Sequence, residues 1–482
     1  MFSKLVIDKI RSGGYITRPV QSSNGSVNLN LYNVNGLGVK FPKRPPTIRE
    51  LWDETIPTGT DTVAKIYQAS LEPHDVKQYL HWDKLRHRPP PNGLTHREWW
   101  LAIKMQRMQL STKLPLMATN GEMFQYVISD PVHEKLHKID IGAGGLIQMP
   151  EQITNPETKD QYYVGSLIEE AITSSQLEGA TTTRQVAKAM IKQGRAPRDK
   201  SERMILNNFQ TMQRIGKLKG QPLTKDLVFE IHRLVTDQTL EDPTAAGRFR
   251  RSDEQVRVEG PYGEIYHEPP GAGSLDERMA LMCSFANGSM PADFLHPVIR
   301  SIILHFWLSY DHPFVDGNGR TARALFYWSM LHYGYWLAEF ISISHIIRKA
   351  PVKYGRAFLY SETDDNDATY FIRYHLHVLA RAIAELHDYI QRKTKQLRAI
   401  EAELRGLAVL NHRQRALIGH ALRHPNQRYL VESHRLSHNI SYETARTDLL
   451  DLADRGLLNA GKAGKKWFFH PANDLEQLLV AL

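Results

Sequence analysis

The sequence predicts a mainly α-helical protein with a few small β elements. Three observations lead there. From about residue 160 onward, apolar residues recur at helical spacing through several consecutive segments. Inside that stretch, "EQVRVEGPYGEIYHEPP" (254–270) alternates Val256 and Val258 with polar residues around Pro261-Tyr262-Gly263, the pattern of a β-hairpin, with a surface loop as the alternative. Near the C-terminus, residues 410–471 read as helix, short helix, turn, helix, a Gly/Lys turn and an aromatic strand.

Taken in order, residues 1 to about 60 are rich in Gly, Asn, Pro and Ser and predict short strands and loops. The stretch "THREWWLAIKMQRMQLSTKL" (95–114) predicts a helix with Trp99, Trp100 and Met105 inward. Residues 1–150 form a mixed N-terminal region whose role no motif reveals. "YYVGSLIEEAITSSQLEG" places Leu167, Ile168, Ala171, Ile172 and Ser175 on one helical face, and Gly179 marks its end. "TKDLVFEIHRLVTD", "HPVIRSIILHFWLSY" and "TARALFYWSMLHYGY" are further helices, the last with Ala322, Leu325, Phe326, Ser329, Met330 and Tyr333 on one face. Residues 391–405, rich in Lys, Arg, Glu and Ala, predict a linking helix.

Composition narrows the function classes. With 41% hydrophobic and 23% charged residues in 482, the chain can bury a core of two to four domains. The net charge of +9 admits a polyanion partner without requiring one. A single cysteine, Cys283, excludes an intramolecular disulfide and points to a reducing compartment. There is no CxxC pair and no GxxxxGK[ST], so neither a cysteine zinc site nor a Walker loop is indicated. The start does not read as a secretory signal, and no apolar run approaches the ~18 residues a membrane span needs. A cytoplasmic protein is expected.

The chemistry concentrates in "DHPFVDGNGRTAR" (311–323). One helix ends near Asp311 and the next begins around Gly319 to Thr321. The stretch therefore sits at a helix N-terminus, where free N–H groups and the macrodipole favour an anion. Gly317 and Gly319 let the backbone approach a phosphate. Arg320 and Arg323, three apart, can add charge-assisted bonds. Asp316 has the wrong sign for a phosphate but suits a bridging magnesium ion. His312 can accept a proton near neutral pH, and Phe314 would anchor the loop in the core. Together these residues describe a nucleotide site with a general base.

HPFVDGNGRTAR matches in full the signature HxFx(D/E)GNGRxxR of the Fic family, and "GRFR" (247–250), the hairpin and the 296–314 segment resemble the Fic core in order and spacing. The resemblance covers roughly 160–390. It implies a Fic helical core with a β-hairpin flap, and transfer of AMP from ATP to a Ser, Thr or Tyr hydroxyl of a target protein with release of pyrophosphate. It also implies a role for each residue. His312 is the base and Asp316 the magnesium ligand. Gly317, Asn318, Gly319 and Arg320 cradle the α- and β-phosphates, Arg323 meets the γ-phosphate, and Tyr354 lies near the adenine. The 254–268 hairpin holds the target segment as an added strand.

"SSQLEG" (174–179) resembles the Fic inhibitory motif (S/T)xxxE(G/N). The implied roles are a Glu178–Arg323 pair that denies the γ-phosphate its arginine, with Ser174 contributing at the helix end. In some relatives the same glutamate helps remove AMP, so a bifunctional enzyme is an alternative. Residues 411–466 carry ten Lys/Arg against five acids and resemble a winged helix-turn-helix, with Ser441 as N-cap, Ala445, Leu449 and Leu452 inward, and Tyr442, Arg446 and Thr447 outward. Its partner is DNA, through the Ser441 helix and the Lys462–Lys466 wing, or protein. Glu443 and Asp448 on that face oppose phosphates. A DNA-binding regulator with a nucleotide-sensing core is therefore the second alternative. The domain expectation is 1–150 N-terminal region, 160–180 inhibitory helix, 181–390 Fic catalytic domain and 405–482 winged helix. The expected partners are hydroxyl-bearing target proteins, the chain itself included, with DNA and a homodimer as further candidates and no membrane.

Overall fold

A computed structural model describes residues 39–72, 78–91, 93–144, 156–260, 263–406, 409–463 and 466–480. Residues 1–38, on which most of the expected N-terminal strands fall, lie outside these ranges, as do Pro261, Tyr262 and Lys465.

The described part of the N-terminal region begins with helices rather than strands. α1 (Ile48–Thr55) opens with a capping box: Thr47 Oγ1 accepts from Glu50 N, and the Glu50 carboxylate accepts from Thr47 N. α2 (Thr60–Ser70) and α3 (His96–Leu110) follow. α3 is capped by the Thr95/Glu98 box and buries Trp100 completely, while Trp99 and Met105 are half-buried against the same small core. It stops at Leu110, four residues short of expectation. Ser111–Met117 is instead a strand, β1, paired antiparallel with β2 (Met123–Val127). The reason is a change of period: Leu114 and Leu116 are buried at spacing two, which suits a pleated strand and not a helix.

α4 (Asp130–Gly144) leads to α5 (Pro156–Leu177), α6 (Arg184–Gln193), α7 (Lys200–Leu218) and α8 (Lys225–Thr236). On α5 the expected face, Leu167, Ile168, Ala171, Ile172 and Ser175, is buried, and Gly179 follows at φ 93° as a left-handed stop. The hairpin is real but short: β3 (Val258–Glu259) pairs antiparallel with β4 (Ile265–His267). Tyr266 of β4 hydrogen-bonds the Val39 carbonyl, which ties the flap to the N-terminal region.

After α9 (Leu275–Ala286), α10 (Pro297–Asp311) and α11 (Asn318–His332) form the centre of the largest core. Both are buried nearly all round, packed among other helices. Ser329 on α11 still finds a partner in Ser301 of α10 at 2.8 Å. α12 (Ile343–Arg348), α13 (Pro351–Thr363) and the 38-residue α14 (Thr369–Gly406) complete the helical body. α14 runs unbroken through residue 390 and carries the chain out to the last module.

That module has its own core around Ile418, Leu449, Leu452, Leu457 and Phe469. Its order is α15 (His412–Arg423), β5 (Tyr429–Leu430), α16 (Val431–His438), α17 (Tyr442–Asp454), β6 (Leu458–Ala463), β7 (Lys466–Pro471) and α18 (Leu475–Val480). The strands form one sheet in the order β5-β7-β6. The order of elements is the one expected of a winged helix, and Ser441 caps α17 through Thr444 N. One sequence expectation is corrected. Asp448 is not on the outer face of α17 but buried, accepting hydrogen bonds from Arg413 (2.7 Å), Asn411 (2.8 Å) and His434 (3.2 Å). At i+3 from Ala445 and i−4 from Leu452 it belongs to the inward stripe. Among the described residues no helix is long and apolar enough to cross a membrane.

Candidate active site

The site is built where α10 hands over to α11. His312 is the C-cap of α10 in the left-handed conformation, φ 44° and ψ 55°, a strained place for a non-glycine residue. Its backbone N–H still bonds the Leu308 carbonyl at 3.0 Å, and its carbonyl accepts from Arg250 Nε at 3.0 Å. Arg250, the second arginine of GRFR, is itself buried and also bonds the Pro313 carbonyl through its own N–H at 2.8 Å. The neighbouring Asp311 is held by Arg278 at 2.5 Å and Trp307 at 3.0 Å. The position of His312 is therefore fixed from both sides.

Nδ1 of His312 lies 3.2 Å from the Ser309 carbonyl, which can only accept, so that nitrogen carries the proton. Nε2 is buried and has no partner. Burial first, and then the positive charge on His267, push the imidazole down to about 4. A neutral histidine with an unengaged lone pair aimed into a buried site is a base waiting for a proton.

The loop after it is fixed from within. Phe314 is fully buried and stacks on His232, ring centres 3.7 Å apart; burying it contributes roughly 2–3 kcal/mol. Asn318 spans the turn, its Oδ1 accepting from Phe314 N at 3.0 Å and its Nδ2 donating to Phe314 O at 2.7 Å. Its side chain thus shapes the loop and leaves the backbone to face the pocket. Gly317 adopts φ 84°, and a β-carbon there would stand 2.6 Å from Thr236 Cγ2. His232 accepts the Gly247 N–H at Nδ1 (2.9 Å), so its Nε2 carries the proton and donates to the Asp316 carbonyl (2.9 Å). Burial holds this ring neutral, at about 4.

The remaining residues of the motif divide into two groups. Gly317, Asn318, Gly319, His312, Glu178 and Tyr354 border one pocket. Arg320 turns away from it: Nη1 donates to the Val235 carbonyl at 2.8 Å, and Nη2 lies 3.4 Å from the Asp316 carboxylate. Tyr354 is buried, with its hydroxyl 2.9 Å from His305 Nε2, and burial raises it to about 12. The Asp316 carboxylate is more than a third exposed, and among the described residues no group of three or more His, Cys, Asp or Glu could hold a metal. One open carboxylate fits magnesium, which commonly takes one or two protein ligands and draws the rest from phosphate and water.

Glu178 enters from α5's end and lies over the N-terminus of α11, so close to Gly319 that a β-carbon there would collide with its carboxylate. It receives Arg323 Nη2 at 2.8 Å. Arg323 also donates through Nε to Ser174 Oγ (2.8 Å) and through Nη2 to the Ser174 carbonyl (3.0 Å). Its Nη1 is buried with no partner. Burial disfavours the guanidinium's charge, but Glu178 outweighs it and holds the group above its ordinary value. The carboxylate therefore lies at a helix N-terminus, where an anion is favoured, and takes one N–H of Arg323. α5 is anchored for this by Glu170, whose carboxylate accepts from Tyr327 (2.8 Å), Ser342 (2.8 Å) and Ser344 N (3.1 Å).

Sequence reading did not find Arg250, His232, His267 or Glu362. Their partners lie between 15 and 95 residues away, beyond any local spacing rule. The GRFR pattern was a signal for Arg250, but its task was not readable.

Residues 222–330 match the family described as Fic/DOC. Among curated proteins, the chain is 40% identical over 117 residues to a protein adenylyltransferase Fic of Aedes aegypti, covering 24% of this chain and 21% of that one. It is 29% identical over 202 residues to the protein of the same name from Nematostella vectensis, covering 41% and 42%. The chain thus spans between about a fifth and two fifths of the length of these relatives. A Fic family protein from Desulfovibrio desulfuricans G20 aligns over 72% of the chain and 98% of its own, with 18% identity and a TM-score of 0.47. The matched stretch, 222–330, holds the loop, the flap and nearly all of both central helices, so the chain is similar to the Fic/DOC family where its candidate site is built.

Proposed function

We propose that the protein transfers AMP from ATP to a Ser, Thr or Tyr hydroxyl of a target protein, and that Glu178 holds it in a resting state. The observation that carries this reading is the buried, unpartnered Nε2 of His312 beside a helix N-terminus whose anion position is filled by the chain's own carboxylate. In the reaction the target oxygen attacks the α-phosphorus, its proton passes to His312 Nε2, and the bond to the β-phosphate oxygen breaks to release pyrophosphate. The backbone N–H groups at Gly317–Gly319 stabilise the charge that builds on the phosphate. Asp316 would hold magnesium, which supplies charge neutralisation to the phosphates when bound. Arg323, released from Glu178, would bind the γ-phosphate with its idle Nη1. The flap would align the target as an added strand. In domain terms, 160–180 is the brake, 181–390 the catalytic body and 405–482 a partner-binding module.

Labelled-ATP transfer in lysate tests the reading. Glu178→Gly should raise labelling, His312→Ala should abolish it in that background, and mass spectrometry should find AMP on a hydroxyl side chain. Labelling that survives His312→Ala would remove the mechanism. Because Glu178 borders the same pocket as His312, a second reading has Glu178 also assisting AMP removal. It predicts that Glu178→Gly blocks release of AMP from a pre-labelled target.

A further inference from the structure

His267 sits on β4 of the flap and borders the His312 pocket. It is buried, and both its ring nitrogens meet acceptors. Nδ1 is 2.7 Å from Glu362 Oε2 on α13, and Nε2 is 2.6 Å from the Tyr310 carbonyl at the end of α10. A carboxylate and a carbonyl cannot donate, so both nitrogens must carry protons and the ring is an imidazolium. Two residues beyond Tyr310 stands His312. One cation thus pins the flap strand to the helix end that presents the base, and to α13 behind it. We propose that His267 and Glu362 form a positioning pair that seats the flap on the catalytic helix end, with His267 cancelling the charge that Glu362 would otherwise bring to the His312 pocket.

The charges around the pair support this. Facing His312 are His267 from the flap, Arg250 from the preceding loop and Asp316 from the phosphate loop. Facing His267 are Glu362 and Asp311, the latter already paired with Arg278 from α9. Burial alone would discharge His267, but Glu362 and the two hydrogen bonds outweigh it and hold the ring above its ordinary value. Its charge is among the groups that press His312 downward, second to burial. The wild-type pair is neutral overall. Replacing His267 with a neutral residue would leave Glu362 alone beside the base, and an unpaired carboxylate favours protonated His312. Replacing both would restore neutrality.

This inference rests on the proposed role of His312, so its test has a readout independent of transfer. With ¹⁵N-histidine labelling of the full chain, His267 should show two N–H protons at pH 7 in the wild type. The His312 titration midpoint should rise by about one pH unit in His267→Gln and return to near the wild-type value in His267→Gln/Glu362→Gln. In the Glu178→Gly background the acid limb of the pH–rate profile should move by the same amount. A neutral His267 at pH 7 in the wild type, which needs no variant to fold, overturns the pair. So does a midpoint unmoved in His267→Gln with the rate merely lowered at every pH. Absence of AMP transfer would refute the proposed activity instead, and the titration would still decide the pair.

Discussion

Asp364 and Glu178 are both carboxylates held by buried cations, yet they are built differently. Asp364 receives Lys104 at 2.7 Å, Arg107 at 3.3 Å and the Tyr370 hydroxyl at 2.7 Å. Arg107 in turn donates to the Tyr370 hydroxyl at 2.6 Å and the Leu80 carbonyl at 2.8 Å, and lies 3.9 Å over the Tyr79 ring. Burial alone would raise Asp364, but Lys104 and Arg107 pull it down to about 2. Glu178 has one cation, Arg323, whose Nη1 has no hydrogen-bond partner. The first arrangement satisfies its donors and joins α3 to the start of α14. The second leaves donor capacity unused beside a pocket. On the proposed function the first pair serves stability alone, and the second has to open for a ligand.

The largest expected effect breaks this contrast directly. Asp364→Ala removes a buried carboxylate from Arg107 and from Lys104, which keeps only the half-exposed Asp365 at 2.8 Å, and should cost about 3–5 kcal/mol in thermal or denaturant unfolding, without raising transfer. Glu178→Gly should cost less, because Arg323 keeps both bonds to Ser174. It should nevertheless raise AMP transfer by about 10- to 100-fold, the size of an ordinary coupling energy. Should Asp364→Ala raise transfer as well, the distinction between a clamp and a latch fails.

Acid sharpens the same contrast. His232 and His312 titrate at about 4 and His375 at about 3 in the fold, below the ordinary 6.5, with burial the first cause in each. The unfolded chain therefore takes up protons first as pH falls. The stability these rings contribute is complete above about 6.5 and lost as pH drops toward 4, on the order of 3 kcal/mol for a ring shifted that far. Asp364 loses its contribution only between about 4 and 2. Unfolding measured by fluorescence from pH 8 to 4 should thus weaken first around the catalytic loop, and His232→Gln should flatten the slope between 6.5 and 4. An unchanged slope in that variant would locate the acid sensitivity elsewhere.

Legibility in the sequence followed the distance between partners. The phosphate loop was readable because its parts lie within thirteen residues and each has a local reason to be there. The Glu178–Arg323 contact, 145 residues apart, was visible only through a family motif. His267 with Glu362, 95 residues apart, gave no pattern at all. At β1 the helix expected through residue 114 gives way to a strand because the apolar spacing changes to two at Leu114 and Leu116. Asp448 is expected on the recognition face with Glu443, although its spacing puts it inside. Its three partners lie on other helices or their caps, and only the folded module brings them to it.

A smaller effect probes Ser174. Its hydroxyl accepts from Arg323 Nε, but the carbonyl contact is backbone and survives substitution. Ser174→Ala should therefore loosen the latch by about 1 kcal/mol, a roughly fivefold rise in transfer, well short of Glu178→Gly.

The smallest effect on catalysis is expected from the winged helix, and there the corrected position of Asp448 matters. With that acid neutralised inside the module, the outer face of α17 carries Tyr442, Arg446 and Thr447 exposed or half-exposed, and Glu443 as its acid. Arg446 stands 3.6 Å from Glu443 at the surface, a pair worth little, so the arginine is available to another anion. Lys462 on the wing sits over Trp467 at 4.2 Å and holds a defined place. If the module binds DNA, Arg446→Ala/Lys462→Ala should lower the slope of log affinity against log salt by about two, one for each lost phosphate contact. AMP transfer by Glu178→Gly should stay within about twofold, since neither residue borders the His312 pocket. Wild-type protein that shows no salt-dependent DNA binding would reassign this face to protein contacts. A large change in transfer would mean instead that the module reaches the latch through α14, the helix that joins the two.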